Sequence, residues 1–141
     1  MSQTEAENLF GEEHVRRYRE TGGKVGHIWR EGSTILLLTT TGRTSGEART
    51  TPLIDAEDGD RYVIVASKGG APEHPGWYRN IEKNPVVELQ VNEEVFPARA
   101  RTASGEEREQ LWEMAVKAYH GYEDYRARTD REIPLVVLEP R

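Results

Sequence analysis

The apolar residues of this chain arrive in short bursts separated by turn signals, and that spacing constrains the fold more than any other feature of the sequence. Thr34–Thr41 reads as a largely buried strand, and 49–56 as its antiparallel partner across a turn at 42–46. Asp58-Gly59-Asp60 is a tight hairpin turn that feeds the next strand, 61–67. Residues 85–91 and 95–102 alternate apolar and polar positions around Asn92-Glu93-Glu94, as a half-buried hairpin does. Residues 133–139 form a closing strand, with Pro134 near its start where a missing N–H is tolerable. Strands joined by short turns are antiparallel. Six strands with few apolar residues each favour a small closed barrel over an open sheet, because closure removes unpaired edges. The expected fold is mainly β (α+β), with flanking helices.

Those helices are readable from caps and spacing. Residues 1–20 are polar apart from Leu9, Phe10, Val15 and Tyr18, which predicts a frayed arm and one short helix ended by Gly22 and Gly23. A helix over 77–83 follows a Gly- and Pro-rich break. Ser104 and Glu107 fit a capping box, and the helix they start places Leu111, Met114, Ala115 and Ala118 on one face, ending near His120-Gly121, with a second helical turn beyond. The organisation expected is an amino-terminal arm with a short helix over 1–32 and a barrel domain over 33–141.

Composition narrows the function. The 141 residues carry 19 Lys and Arg against 25 Asp and Glu, a formal net charge of -6, which disfavours a general nucleic-acid or anionic-membrane surface. Any anion site must be local. There is no cysteine, so disulfides, thiolate chemistry and cysteine-bound metals are excluded. His14, His27, His74 and His120 are isolated and lack ligand spacing, so no metal site is expected. No secretory leader or membrane-length apolar run is visible, and a cytoplasmic location is expected, with contact at the inner face of the plasma membrane an unsupported addition. A monomer or weak dimer is expected.

Four stretches could carry chemistry. In 39–53, two glycines turn the chain and flank Arg43 with Arg49, a pattern that fits an anion-binding concavity and an ordinary surface hairpin equally well. Ala66-Ser67-Lys68-Gly69-Gly70 ends a strand with a hydroxyl, an ammonium and two glycines that admit close approach of a ligand. Neighbours on an extended strand face opposite sides, so Ser67 and Lys68 are not read as a nucleophilic dyad. Pro75-Gly76-Trp77-Tyr78-Arg79-Asn80 opens a helix whose aromatics could wall a flat ligand or simply be core. Tyr119, Tyr122 and Tyr125, spaced by three, would stack on one helix face and suit a pocket rim, with a surface stripe as the alternative.

Together, Leu-Leu-Leu-Thr-Thr-Thr-Gly-Arg-Thr-Ser-Gly at 36–46, Ala-Ser-Lys-Gly-Gly-Ala at 66–71, Pro-Gly-Trp-Tyr-Arg-Asn-Ile at 75–81 and Thr-Asp-Arg-Glu-Ile-Pro at 129–134 resemble the deazaflavin-dependent nitroreductase family. The resemblance covers 34–140. It implies a split β-barrel, related to flavin-binding barrels of the pyridoxamine-phosphate-oxidase type, that binds coenzyme F420, an 8-hydroxy-5-deazaflavin with a phosphate and an oligoglutamate tail. By this resemblance Arg43, Arg49 and Lys68 hold the phosphate and tail, with Thr44, Thr51 and Pro52 beside the coenzyme. Ala66, Ser67, Gly69, Gly70, Gly76, Trp77 and Asn80 accompany its ring. Ser67, Tyr119, Tyr122 and Tyr125 match positions that face the substrate. Two departures stand out: Thr44 replaces a frequent lysine, and Gly76 replaces a bulkier residue, which implies more space beside the ring.

The implied reaction is hydride transfer from reduced F420 to a small electron-poor acceptor, a quinone, an activated enone or a nitro-heterocycle, with Tyr122 or solvent delivering the proton. A non-catalytic F420 carrier and an FMN-dependent split-barrel oxidoreductase are the alternatives.

Overall fold

The computed structural model describes residues 9–141; the frayed-arm expectation for residues 1–8 lies outside the described residues. Helix α1 (Gly11–Thr21) ends where Gly22 takes a left-handed φ of 60°, as the paired glycines predicted. Strands β1 (Thr34–Thr41), β2 (Ala48–Asp58) and β3 (Arg61–Val65) form a meander. Helix α2 (Gly76–Lys83) leads into the hairpin β4 (Val86–Val91) and β5 (Glu94–Thr102). Helices α3 (Gly105–Ala118) and α4 (Gly121–Ala127) precede β6 (Leu135–Pro140). The strands close a barrel in the order β1-β2-β3-β6-β5-β4, every neighbour antiparallel.

Alternation along the strands divides the apolar residues between two layers. Leu36, Leu38, Ile64, Leu89, Val136 and Leu138 fill the barrel interior, which Trp77, Tyr78 and Ile81 of α2 plug. Ile35 and Leu37 face outward against Tyr18 of α1. Val63, Val65, Leu135 and Val137 face outward against Leu111, Trp112 and Ala115 of α3. Strands β1, β3 and β6 are thus buried on both faces, which is why they read as unbroken apolar runs. Strand β4 leaves Val86 and Glu88 exposed and alternates exposed with buried residues.

Several local expectations are corrected. Ser104 occupies the N-cap of α3 but its side chain makes no capping bond, and the reciprocal half of the box is absent because the Glu107 carboxylate is taken by Arg101 (2.6 Å) and Arg61 (3.4 Å). Ion pairing to two strand arginines outweighs the reach back to one backbone N–H. Strand β3 stops at Val65, so Ser67 and Lys68 are not strand neighbours: Ser67 is helical in φ and ψ, and Lys68 has a φ of 47°. Pro134 precedes β6 rather than lying in it, and its carbonyl accepts a bond from Ala66 N–H at 2.9 Å.

Candidate functional site

The barrel has one strand longer than its partners can cover. Strand β2 pairs with β1 along 48–55, but β3 joins it only from Asp55 onward. The stretch 48–54 therefore has a paired neighbour on one side, a setting that tolerates Pro52. Thr51, Pro52, Leu53 and Ile54 on this overhang form one wall of a cavity of about 390 Å³. Ser67, Lys68, Pro75 and Trp77 form the facing wall, and Tyr119, Tyr122 and Tyr125 the third. Phe10 at the N-cap of α1, Gly11 and His14 of α1, Trp29 after it, Ile35 of β1 and Val65 of β3 complete the lining.

The tyrosines meet, though not through helical spacing. Helix α3 ends at Ala118, and Tyr119 is extended, with φ -155° and ψ 108°. Gly121 makes room for the turn, since a Cβ there would lie 2.4 Å from the Tyr119 ring. Helix α4 then brings Tyr122 and Tyr125 back, with ring centroids 5.3 and 6.2 Å from Tyr119 and the Tyr119 and Tyr125 hydroxyls 3.4 Å apart. Tyr122 is buried, and burial, then the neighbouring Tyr125 and Tyr119, push its phenol far above the usual value. It remains a neutral hydrogen-bond donor. His14 also lines the cavity; its Nε2 bonds the Gly26 carbonyl at 2.8 Å, and burial lowers its pKa.

The loop between β3 and α2 is held from outside. Arg131, on the segment between α4 and β6, donates to the carbonyls of Ser67 (2.6 Å), Ala71 (2.8 Å) and Ala66 (3.2 Å). A Cβ on Gly70 would lie 2.7 Å from the Tyr125 carbonyl, so this glycine is required by the close approach of the loop to α4. Lys68 lines the cavity while its Nζ pairs with Glu73 at 3.0 Å.

The remaining expected residues lie outside the cavity lining. Asn80 is buried and accepts from Arg43 N–H (3.1 Å) and Arg43 Nη1 (3.0 Å) while donating to Thr40 Oγ1 (3.0 Å). It buttresses the β1–β2 hairpin from α2 and does not itself face the cavity. Ala66 has its side chain in the barrel core, and Gly69 and Gly70 belong to the short turn Lys68–Gly70. Gly76 opens space beside Arg43, whose Nη1 would be 3.8 Å from a Cβ there, rather than beside the cavity. Thr44 lies with Arg43 and Lys83 in a separate shallow groove. Arg49 is exposed, 3.5 Å from Glu47, and shares its β2 face with Thr51 two residues along.

Sequence reasoning thus brought Thr51, Pro52, Ser67, Lys68, Trp77 and the three tyrosines to one cavity. It missed Arg131 as the residue that shapes the loop, although Arg131 lies inside one of the four quoted motifs, and it missed His14 and Phe10. A hydrogen bond spanning 64 residues leaves no local signal.

Comparison with known proteins identifies the chain's relatives. Residues 10–140 match the family described as F420H(2)-dependent quinone reductase. An F420H(2)-dependent quinone reductase of Mycobacterium tuberculosis is 42% identical over 131 residues, covering 91% of this chain and 88% of its own. Among solved structures, an F420-H2 dependent reductase, FDR-A, is 48% identical with a TM-score of 0.70, covering 74% of this chain and 93% of its own. A structure described as a domain-swapped dimer is 43% identical with a TM-score of 0.72, covering 89% of this chain and 92% of its own. The chain belongs to the F420H(2)-dependent quinone reductase family. It is therefore an oxidoreductase with coenzyme F420 as its cofactor, which decides against the FMN and carrier alternatives.

Proposed function

We propose that this member of the F420H(2)-dependent quinone reductase family reduces a quinone in the cavity between the β2 overhang, the Ser67–Lys68 loop and the three tyrosines. The observation that supports this reading is the division of the site into an apolar and a cationic part. The lining is dominated by Trp29, Pro52, Leu53, Trp77 and the tyrosines, whereas Lys68 lines the cavity, Arg49 stands two residues from Thr51, and Arg43, from the neighbouring groove, bonds the carbonyl of Gly76 between Pro75 and Trp77. A flat ring with an acidic tail fits such a donor set. Trp77 and Pro52 would flank the ring, Lys68 and Arg43 would take phosphate or carboxylate oxygens, and Arg49 the outer tail. Reduced F420 bound there supplies the hydride.

The chain's own contribution is orientation and hydrogen bonding. Ser67 is buried and lines the cavity, and its hydroxyl would donate to an acceptor oxygen. Tyr122, held neutral by burial, donates likewise, and solvent rather than Tyr122 provides the proton, because a phenol raised above its ordinary value is a weak acid. The aromatic walls exclude water from the acceptor. Hydroxyl donors between aromatic walls suit activated enones and nitro-heterocycles as well as quinones, so these are included among the acceptors.

The test is a titration of the protein with F420, followed by oxidation of the bound reduced coenzyme by a panel of quinones, enones and nitroimidazoles. Saturable binding with quinone-dependent oxidation is expected. Tight binding with no oxidation by any acceptor would sink the reading.

A further inference from the structure

Ser67 and Lys68 sit on a segment, 66–74, whose only regular element is the turn Lys68–Gly70. Lys68 holds a φ of 47°, a left-handed conformation that side-chain-bearing residues keep only where their surroundings enforce it. The enforcing contacts converge on one residue from outside the segment. Arg131 Nη2 donates to the Ser67 carbonyl at 2.6 Å, Nη1 to Ala66 at 3.2 Å, and Nε to Ala71 at 2.8 Å. Its Nη1 also lies 3.0 Å from His74 Nδ1. A planar guanidinium presents donors in a fixed fork, so three carbonyls and one ring nitrogen bound to it are fixed relative to one another. Among the described residues no carboxylate forms an ion pair with Arg131, so these four acceptors are what its charge is spent on.

We propose that Arg131 is the positioning residue of the coenzyme loop, setting Ser67 and Lys68 through the loop carbonyls, and that the clamp closes only while His74 is neutral. A guanidinium has no lone pair to offer, so the contact at His74 Nδ1 requires the tautomer with its proton on Nε2. A proton added at Nδ1 removes the acceptor and sets an imidazolium against a guanidinium. The other groups facing His74 come from α2: the charges of Arg79 and Glu82, and the ring of Tyr78 at 5.1 Å. Arg79 opposes protonation and Glu82 favours it; burial and Arg131 tip the balance, lowering the pKa of His74. Glu73 acts on Arg131 from the same loop while pairing with Lys68, so release of the clamp also frees the Lys68–Glu73 pair to move. The link from the clamp to the coenzyme rests on the reading that this loop contacts F420; the clamp itself does not.

The test measures hydrogen-exchange protection in the ligand-free protein, corrected for intrinsic rates, at about pH 7.5 and pH 5.5. The amides of Gly70 and Ala71, bonded to Ser67 and Lys68 carbonyls, are the reporters. Wild-type protection there is expected to fall about tenfold between the two conditions, with barrel strands unchanged. Arg131→Lys, which keeps the charge but loses the fork, is expected to be unprotected at both. His74→Gln keeps an acceptor that does not titrate and is expected to stay protected at both. Titrating the same proteins with F420 should show the matching pattern of affinities, and comparing variants at one pH cancels ionisation of the coenzyme. Unchanged protection in Arg131→Lys, or the same pH response in wild type and His74→Gln, overturns the clamp. If Arg131→Lys does not fold, the wild-type and His74→Gln pair decides. If the exchange pattern holds but F420 does not bind, the clamp stands and the coenzyme reading falls.

Discussion

Asp55 stands where a single proton should show in stability. It is buried beside β1, where Thr34 Oγ1 donates to it at 2.9 Å. Burial, with a smaller effect from Glu57, raises its carboxyl from 3.8 to about 6. Between these values the folded protein holds a proton that the unfolded chain has lost. Asp55 therefore weakens the fold above about pH 6, and the penalty fades as pH falls towards 4. The full gap corresponds to about 3 kcal/mol. Asp55→Asn keeps an acceptor for Thr34 and removes the charge, so it should stabilise by about 1–3 kcal/mol at pH 8 and lose that advantage near pH 4. Urea unfolding at both values checks this; an equal gain at both would show that charge is not the cause. His14 and His74, whose lowered pKa values act in the opposite direction, are present in both proteins and cancel. Tyr122 offers a kinetic counterpart. Tyr122→Phe should lower turnover about tenfold through the lost hydrogen bond while coenzyme affinity stays within about twofold. Steady-state kinetics beside a coenzyme titration would show it, and equal losses in both would move Tyr122 away from the acceptor.

Elements decide which parts of the site were legible. Strands β1, β3 and β6 announced themselves because helices cover their outer faces, so both residue parities are apolar. The β4–β5 hairpin announced itself by the opposite pattern, a one-sided alternation. The tyrosine cluster was found for an inexact reason: spacing by three suggested one helix face, whereas a break at Tyr119 and a new helix at Gly121 bring the rings together. Asn80 was placed at the ring because its motif position suggested it, but its amide is consumed by Arg43 and Thr40. Local sequence cannot reveal a bond made across 37 residues. The consequence is testable on the hairpin. Asn80→Ala leaves the Arg43 N–H and the Thr40 hydroxyl without their buried partner, at a cost of about 1–3 kcal/mol. The variant should also loosen Arg43, so coenzyme affinity should fall more steeply with added salt than in Arg43→Ala. Identical salt dependence in the two variants would mean that Asn80 does not govern the arginine.

At the scale of the molecule, the barrel follows from patterns within single strands, while the cavity is assembled from five segments far apart in sequence. That is why the architecture was readable in full and the site only where a motif happened to hold a lining residue. Helix α1 illustrates the difference: its polarity suggested a peripheral arm, yet it supplies His14 to the cavity wall. Among the described residues no helix is long and apolar enough to cross a membrane, and α1 is committed to the barrel. Its anchor is Tyr18, fully buried, whose hydroxyl donates to the Ile35 carbonyl at 2.9 Å, accepts from Asn92 N–H at 2.8 Å and lies 3.1 Å from His27 Nδ1. One phenol thus joins α1 to β1, to the β4–β5 turn and to the segment that carries Trp29. Burial pushes its pKa up to about 12, so the tether persists across the working pH range. Tyr18→Phe retains the packing on Ile35 and Leu37 but leaves the Asn92 N–H unpaired, a loss of about 1–3 kcal/mol. For a chain of this size that lowers Tm by roughly 4 °C per kcal/mol. The variant should also bind coenzyme less tightly, because the wall formed by His14 and Phe10 loses its fixed position. A thermal melt and an F420 titration on the same preparation check both effects. A lowered Tm with unchanged affinity would make α1 a brace for the barrel and remove it from the site.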